Sequence, residues 1–444
     1  MTTAAPDRRP EEWPAPLASD AVRATVTLPG SKSLTNRLLV LAALASESSR
    51  LRRPLRSRDT VLMARALSQL GARISDIPGP AGQDADWLIE PAALRGDTAI
   101  DCGLAGTVMR FLPPVAALAV GPVRFDGDEQ ARRRPMGPGL GALRALEVDV
   151  TDEGRAGMPF TVHGTGSVRG GQVQLDASAS SQFISGLLLA GARYEQGVTV
   201  LHHGPPVPST PHIMMTAEVL RDAGVDIDDS QPDCWRVEPS EIYGMDVQVE
   251  PDLSNAATFL AAAMVTGGTV EIPGWPQRTT QAGDAIRDIF DAMGGSVSLS
   301  REGLSLTGPQ VIHGLDVDLR DAGELTPVVA AVAALADTPS WLRGIAHLRG
   351  HETDRLAALA EEISRLGGQI RVLEDGLQIT PRRLTGGVFH TYGDHRMAMA
   401  AAVLGLVVPG VLIEDVATTG KTMPDFVSRW EHMLVGSTDG TSSA

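Results

Sequence analysis

The sequence predicts an α/β protein of two domains built from one repeated unit, and three observations carry that prediction. At 444 residues the chain is too long for a single core. An apolar-periodic helix that runs through a short turn into an alternating strand recurs five times. The turns fall at positions 71, 147, 224, 294 and 367, separated by 76, 77, 70 and 73 residues, too regular for chance alternation of helix and strand.

In chain order the units read Leu62-Met63-Ala64-Arg65-Ala66-Leu67 into Leu70-Gly71-Ala72-Arg73-Ile74, then Leu143-Arg144-Ala145-Leu146 into Glu147-Val148-Asp149-Val150. They continue as Ala217-Glu218-Val219-Leu220 into 223–227, as 286–293 into Gly294-Gly295-Ser296-Val297, and as 356–366 into Gly367-Gly368-Gln369-Ile370. Glycine supplies the left-handed helix cap in four of the five, and Glu147 stands there in the second. A sixth unit has to be assembled from the C-terminal segment, about 411–434, and the N-terminal strand. The chain therefore starts in one domain, crosses to a second and returns. The predicted domains are 1–30 with 250–444, and 31–249. Two adjacent crossings, near Gly30-Ser31 and 249–252, can act as hinges, with a ligand cleft between the domains.

Composition narrows the class. A hydrophobic fraction of 43% and a charged fraction of 21% describe a soluble globular protein. The net charge of −16 argues against a nucleic-acid partner and against an anionic membrane, and no run of 18 apolar residues occurs. Residues 1–20, rich in Pro, Ala and acidic side chains, read as a disordered lead-in without secretory or transit character. Two cysteines, Cys102 and Cys234, have no metal spacing and fit a reducing cytoplasm.

The first chemical signal is Pro29-Gly30-Ser31-Lys32-Ser33. Val22, Ala24, Val26 and Leu28 alternate as in a half-buried strand, Pro29-Gly30 ends it, and an apolar helix is expected over 38–45. A strand, a turn bearing Lys32 and hydroxyls, and a helix start make an anion site, because free backbone N–H groups and the positive helix end face one point. A Walker phosphate loop is excluded: Ser31 precedes Lys32 and position 26 is Val, where that motif needs glycines.

Other segments repeat the theme. Asp176-Ala177-Ser178-Ala179-Ser180-Ser181-Gln182 precedes an apolar helix, Arg132-Arg133-Arg134-Pro135 another, His351-Glu352-Thr353-Asp354-Arg355 a third and Asp394-His395-Arg396 a fourth, with Gly420-Lys421-Thr422 late in the chain. Each has a local reading: a helix cap, a solvated charge run, an i,i+3 ion pair. Together they place Lys32, Arg37, Arg134, Arg355, Arg396 and Lys421 at strand-to-helix turns of an acidic protein. Cations there oppose the helix dipole, so local stability does not explain them, whereas bound phosphorylated or carboxylated small molecules do.

From about Trp13 to Met433 the chain resembles the family of 5-enolpyruvylshikimate-3-phosphate synthases. The signatures are Pro29-Gly30-Ser31-Lys32-Ser33, Leu104-Ala105-Gly106-Thr107-Val108-Met109-Arg110, Arg134-Pro135, Ser180-Ser181-Gln182, Glu352-Thr353-Asp354-Arg355, Asp394-His395-Arg396-Met397-Ala398-Met399 and Lys421-Thr422, all in order. The resemblance implies an inside-out α/β barrel in each of two domains, each made of three βαβαββ units about a pseudo-threefold axis, with six helix N-termini directed toward the cleft. It implies transfer of the enolpyruvyl group of phosphoenolpyruvate to the 5-hydroxyl of shikimate 3-phosphate with release of phosphate, without metal or organic cofactor, by a cytoplasmic monomer of the shikimate pathway.

By the same resemblance, Lys32, Ser33, Arg37, Ser180, Ser181, Gln182, Ser209, Glu324 and His351 are expected to contact shikimate 3-phosphate. Lys32, Gly106, Arg134, Gln182, Arg355, Arg396 and Lys421 are expected to hold phosphoenolpyruvate. Glu324 is expected to deprotonate the hydroxyl, and Glu352, with Lys32 as co-donor, to protonate the methylene carbon. Several positions depart from the family's pattern. Glu324 stands for a common Asp, His351 for Lys, His347 for Asn, Leu104 for Asn and Phe111 for Pro. A related transferase acting on UDP-N-acetylglucosamine relies on a loop cysteine, but Cys102, in Asp101-Cys102-Gly103, reads as a buried small residue and Cys234 lies in a strand beside Trp235. A non-catalytic binder of phosphorylated metabolites needs no Glu324 and Glu352.

Overall fold

The computed structural model describes residues 11–79 and 85–436. Its architecture follows from six helices with no polar flank: α1 (Lys32–Leu44), α2 (Gly106–Ala116), α3 (Gln182–Gly191), α4 (Leu253–Thr266), α5 (Thr326–Ala333) and α6 (His395–Gly405). Every residue of α2, and every residue of α3 after Gln182, is buried. A helix that is apolar all round must be covered all round. Accordingly α1, α2 and α3 pack on one another, and α4, α5 and α6 do the same. The amphipathic helices read from the repeat, such as Arg58–Gln69, Pro211–Asp222 and Arg355–Arg365, lie outside with one exposed side. Two buried apolar clusters result, one drawn from 38–249 and the other from 22–28 with 253–433.

Six small sheets complete the cover, five of four strands and one of three among the described residues. Each opens with a parallel pair and continues antiparallel. Thr98–Asp101, for instance, lies parallel to Val120–Asp126, which pairs antiparallel with Phe160–Thr165. All five predicted turn positions are left-handed: Gly71, Gly224, Gly294 and Gly367 have φ of 121°, 85°, 98° and 91°, and Glu147 has 65°.

Three sequence expectations change. The opening helix starts at Lys32, not at 38, because Ser31 caps it through an Oγ that accepts from the Leu34 N–H at 3.5 Å. Lys32, Ser33 and Arg37 therefore ride on the helix instead of a turn. Part of the expected disordered lead-in is a strand, Glu12–Pro14, whose Trp13 opposes Ile413, while residues 1–10 lie outside the described residues. That strand closes the sixth sheet, next to Val411–Glu414; the strand read at 22–28 is shorter, Arg23–Thr25, and lies parallel to Thr269–Pro273 in a neighbouring sheet.

The two chain crossings sit side by side. Gly30 bridges Pro251, the Ser31 N–H donates to the Glu250 carbonyl at 2.7 Å, and the Asp252 N–H donates to the Pro29 carbonyl at 3.0 Å. A Cβ on Gly30 would lie 2.4 Å from the Arg53 carbonyl oxygen, so the close approach requires glycine. Among the described residues no helix is long and apolar enough to cross a membrane.

Candidate active site

Five of the six core helices place first-turn residues in one cavity, and α5 is preceded by a residue that joins them. Its lining takes Lys32 and Ser33 from α1, Gly106 from α2, Gln182 from α3, Ser254 from α4, Glu324 from just before α5, and Arg396 from α6. Positive helix ends gathered at one cavity favour an anionic occupant. The same cavity gathers the cations Lys32, Arg134, Arg355, Arg396 and Lys421 against four carboxylates, Asp59, Asp252, Glu324 and Glu352.

The carboxylates keep these cations stable at low exposure. Arg355 is 3% exposed and forks onto Asp394, with Nε to Oδ2 at 2.7 Å and Nη2 to Oδ1 at 3.2 Å. Its Nη2 also donates to Glu352 Oε2 at 3.1 Å, and Lys421 Nζ bonds the other Glu352 oxygen. Asp394 further accepts from the Arg396 N–H at 2.9 Å, and Arg396 Nη1 donates to the Ser254 carbonyl at 2.8 Å. Lys32 Nζ lies 3.6 Å from Asp59.

Proton affinities follow from this network. Burial raises the pKa of Glu352, but Lys421, Arg355 and Arg134 outweigh it and hold the group well below the usual carboxylate range. Burial likewise opposes ionisation of Glu324, and the hydrogen bond and charge of His212, with Arg396, reverse it. Burial pushes Lys32 down, against the attraction of Asp59. His351 and His395 are pushed well down, first by burial and then by the neighbouring arginines Arg355 and Arg396, so both imidazoles are neutral at pH 7. Both carboxylates are thus held in the ionised form, Glu324 by His212 and Arg396 and Glu352 by Lys421, Arg355 and Arg134.

Opposite the charges stand unspent polar groups. The Ser181 side chain makes no capping bond, and Arg134 Nε has no partner. Gly106 leaves a cradle that a Cβ would fill, at 3.1 Å from Gln182 Oε1 and 3.2 Å from Arg134 Nη1. Among the described residues no group of three or more His, Cys, Asp or Glu side chains is placed to hold a metal ion.

The model of the family described as EPSP synthase (3-phosphoshikimate 1-carboxyvinyltransferase) matches residues 17–430. The chain belongs to the EPSP synthase family. It is similar to a 3-phosphoshikimate 1-carboxyvinyltransferase of Kocuria rhizophila, with 58% identity over 431 residues that cover 96% of this chain and 97% of that one. Two solved structures share the fold. An EPSP synthase from Acinetobacter baumannii has a TM-score of 0.79 at 24% identity, covering 94% of this chain and 97% of its own. The enolpyruvyl transferase NikO from Streptomyces tendae has a TM-score of 0.72 at 18% identity, covering 94% and 96%.

Of the residues that the EPSP synthase resemblance singled out, Lys32, Ser33, Gly106, Arg134, Ser180, Ser181, Gln182, Ser209, Glu324, His351, Glu352, Arg355, Arg396 and Lys421 all line the cavity. Arg37 does not. It is buried beneath α1, where Nε donates to Thr216 Oγ1 at 2.7 Å, Nη2 to the His212 carbonyl at 2.8 Å, and the guanidinium lies 5.2 Å from the Phe111 ring centre. At position 37 the side chain leaves the second turn of α1 toward the helix Pro211–Asp222, not toward the cavity mouth. Phe111 thus serves as that guanidinium's platform. Cys102 is fully buried, as a loop nucleophile would not be. Sequence reading missed Asp59, Arg110 and His212. Arg110 Nη1 donates to Gln182 Oε1 at 2.8 Å, and its position four residues after Gly106 in the same signature was the available signal.

Proposed function

We propose that this chain joins phosphoenolpyruvate to the 5-hydroxyl of shikimate 3-phosphate and releases phosphate, in the cleft between a domain of residues 31–249 and one made of 1–30 with 250–444. One observation carries the reading: five cations spread from residue 32 to residue 421 line a single cavity with two buried carboxylates, Glu324 and Glu352. Lys32, Arg134, Arg355, Arg396 and Lys421 bind the phosphate and carboxylate of phosphoenolpyruvate, with Gln182 and the open face of Gly106 beside them. Ser33, Ser180, Ser181, Ser209 and His351 hold shikimate 3-phosphate.

Glu324 takes the proton of the 5-hydroxyl as its oxygen bonds to C2 of phosphoenolpyruvate. The methylene carbon takes a proton from Glu352, or from Lys32, whose lowered proton affinity suits a donor. The tetrahedral intermediate then breaks its bond to phosphate, and the methyl carbon returns the proton. Arg37 acts from beneath, holding α1 against the helix that carries His212. The free thiols Cys102 and Cys234 accord with a cytoplasmic setting, and the reading treats the enzyme as a monomer without nucleic-acid partners.

Phosphate release on mixing both substrates tests this. Release must require shikimate 3-phosphate, and UDP-N-acetylglucosamine must fail to replace it; the reverse preference overturns the assignment.

A further inference from the structure

We propose that His212 is a positioning residue for Glu324, reaching across the cleft to fix the carboxylate so that the base is complete only when the two halves meet. The proposal rests on the reading of Glu324 as the base. His212 belongs to the helix Pro211–Asp222, on the side of residues 31–249, and its Nε2 lies 3.5 Å from Glu324 Oε1 on the other side. Ser254 Oγ donates to the same oxygen at 3.3 Å.

The contact lies on a built seam. The Ser209 N–H donates to the Arg320 carbonyl at 3.1 Å, and Thr210 donates to Asp321 Oδ1 through N–H at 3.1 Å and through Oγ1 at 2.8 Å. The imidazole also stands on a fixed base. Its own carbonyl accepts from Arg37 Nη2 at 2.8 Å, Thr216 Oγ1 at 2.9 Å and Ser185 Oγ at 3.4 Å, and Arg37 is 1% exposed. That gives Arg37 a reason to be buried away from the cavity.

Glu has one more rotatable bond than Asp, so a carboxylate at 324 loses more freedom when it is held in one pose and gains more from a second partner. The groups that act on the pair are His347 from the turn Ala346–Gly350, Ser254 from α4, Arg355 from the helix Arg355–Arg365 and Arg396 from α6, while Asp321 on the adjoining loop is taken by Thr210. A donating imidazole there favours the ionised carboxylate.

The test compares the pH profile of phosphate release in the wild type, His212→Gln, Glu324→Gln, the double variant and Thr210→Val, with melting temperature as a folding control. His212→Gln is expected to lower kcat about tenfold and to move the acid limb up by about one pH unit, since the carboxylate loses the ring nitrogen that holds it. The double variant should be no slower than Glu324→Gln alone. Thr210→Val, which cuts a neighbouring seam bond and spares the imidazole, should leave the limb in place. An unmoved limb in His212→Gln, or an equal shift in Thr210→Val, overturns the proposal while an inactive Glu324→Gln still upholds the base. If Glu324→Gln keeps turnover within threefold, the base reading falls and this inference with it.

Discussion

The two walls of the cleft are made of different chemistry. The wall from residues 31–249 presents mainly hydroxyls, an amide and a glycine, at Ser33, Ser180, Ser181, Gln182, Ser209 and Gly106, with Lys32 and Arg134 as its cations and Asp59 and His212 beside them. The facing wall presents groups that titrate or pair: Glu324, Glu352, His347, His351, His395, Arg355, Arg396 and Lys421. Its charges form a continuous chain from Lys421 through Glu352 and Arg355 to Asp394 and the Arg396 N–H. A neutral donor holds a ligand at any pH, whereas a network of paired charges exchanges partners when an anion arrives. On the proposed reading, both carboxylates that move protons lie on the charged wall, and most of the groups that hold shikimate 3-phosphate lie on the hydroxyl-rich one.

Substitutions on the charged wall should break turnover most. Arg396→Ala or Glu352→Gln is expected to cut kcat at least about 10²-fold, in line with loss of a preorganised charge; activity within threefold would remove either residue from the chemistry. On the neutral wall the largest effect is expected at Gly106→Ala, whose Cβ would crowd Gln182 and Arg134 at 3.1 and 3.2 Å. The KM for phosphoenolpyruvate should rise about tenfold, about 1.4 kcal/mol of lost affinity, with kcat less affected. Ser181→Ala should weaken shikimate 3-phosphate about fivefold and leave the melting temperature within about two degrees, because the hydroxyl caps nothing in the protein.

The smallest effect is thermal and follows from the charged wall alone. His351 and His395 have folded-state pKa values depressed by burial, so the unfolded chain takes up protons first as pH falls. Their contribution to stability is complete above about pH 6.5 and is lost below it. The ligand-free enzyme should melt a few degrees lower at pH 5.5 than at pH 7.5. A flat profile would mean that these imidazoles are not buried neutral.

Local signals were legible and long-range ones were not. The repeat was readable because each outer helix is amphipathic and ends in a left-handed residue, Glu147 included. The signature segments were readable because each carries its charge or hydroxyl at or just ahead of a helix. The strand Glu12–Pro14 was not readable: it has three residues, and its pairing partner is 400 positions away, at Ile413 opposite Trp13. Arg37 looked like its neighbours Lys32 and Ser33, yet helical rotation sends it to Thr216 and the His212 carbonyl. His212 and Glu324 meet although 112 positions separate them, and Pro211 at the helix start was the single local hint that His212 sits on an N-terminus.

The division between holding and reacting is tested most directly by measuring binding and turnover on one variant from each wall. Calorimetric titration with shikimate 3-phosphate should give Glu352→Gln the wild-type Kd within about threefold while phosphate release falls at least about 10²-fold. Ser181→Ala should lose affinity while keeping kcat near wild type. If both variants lose affinity and turnover in the same proportion, the walls do not divide the work and the account is wrong.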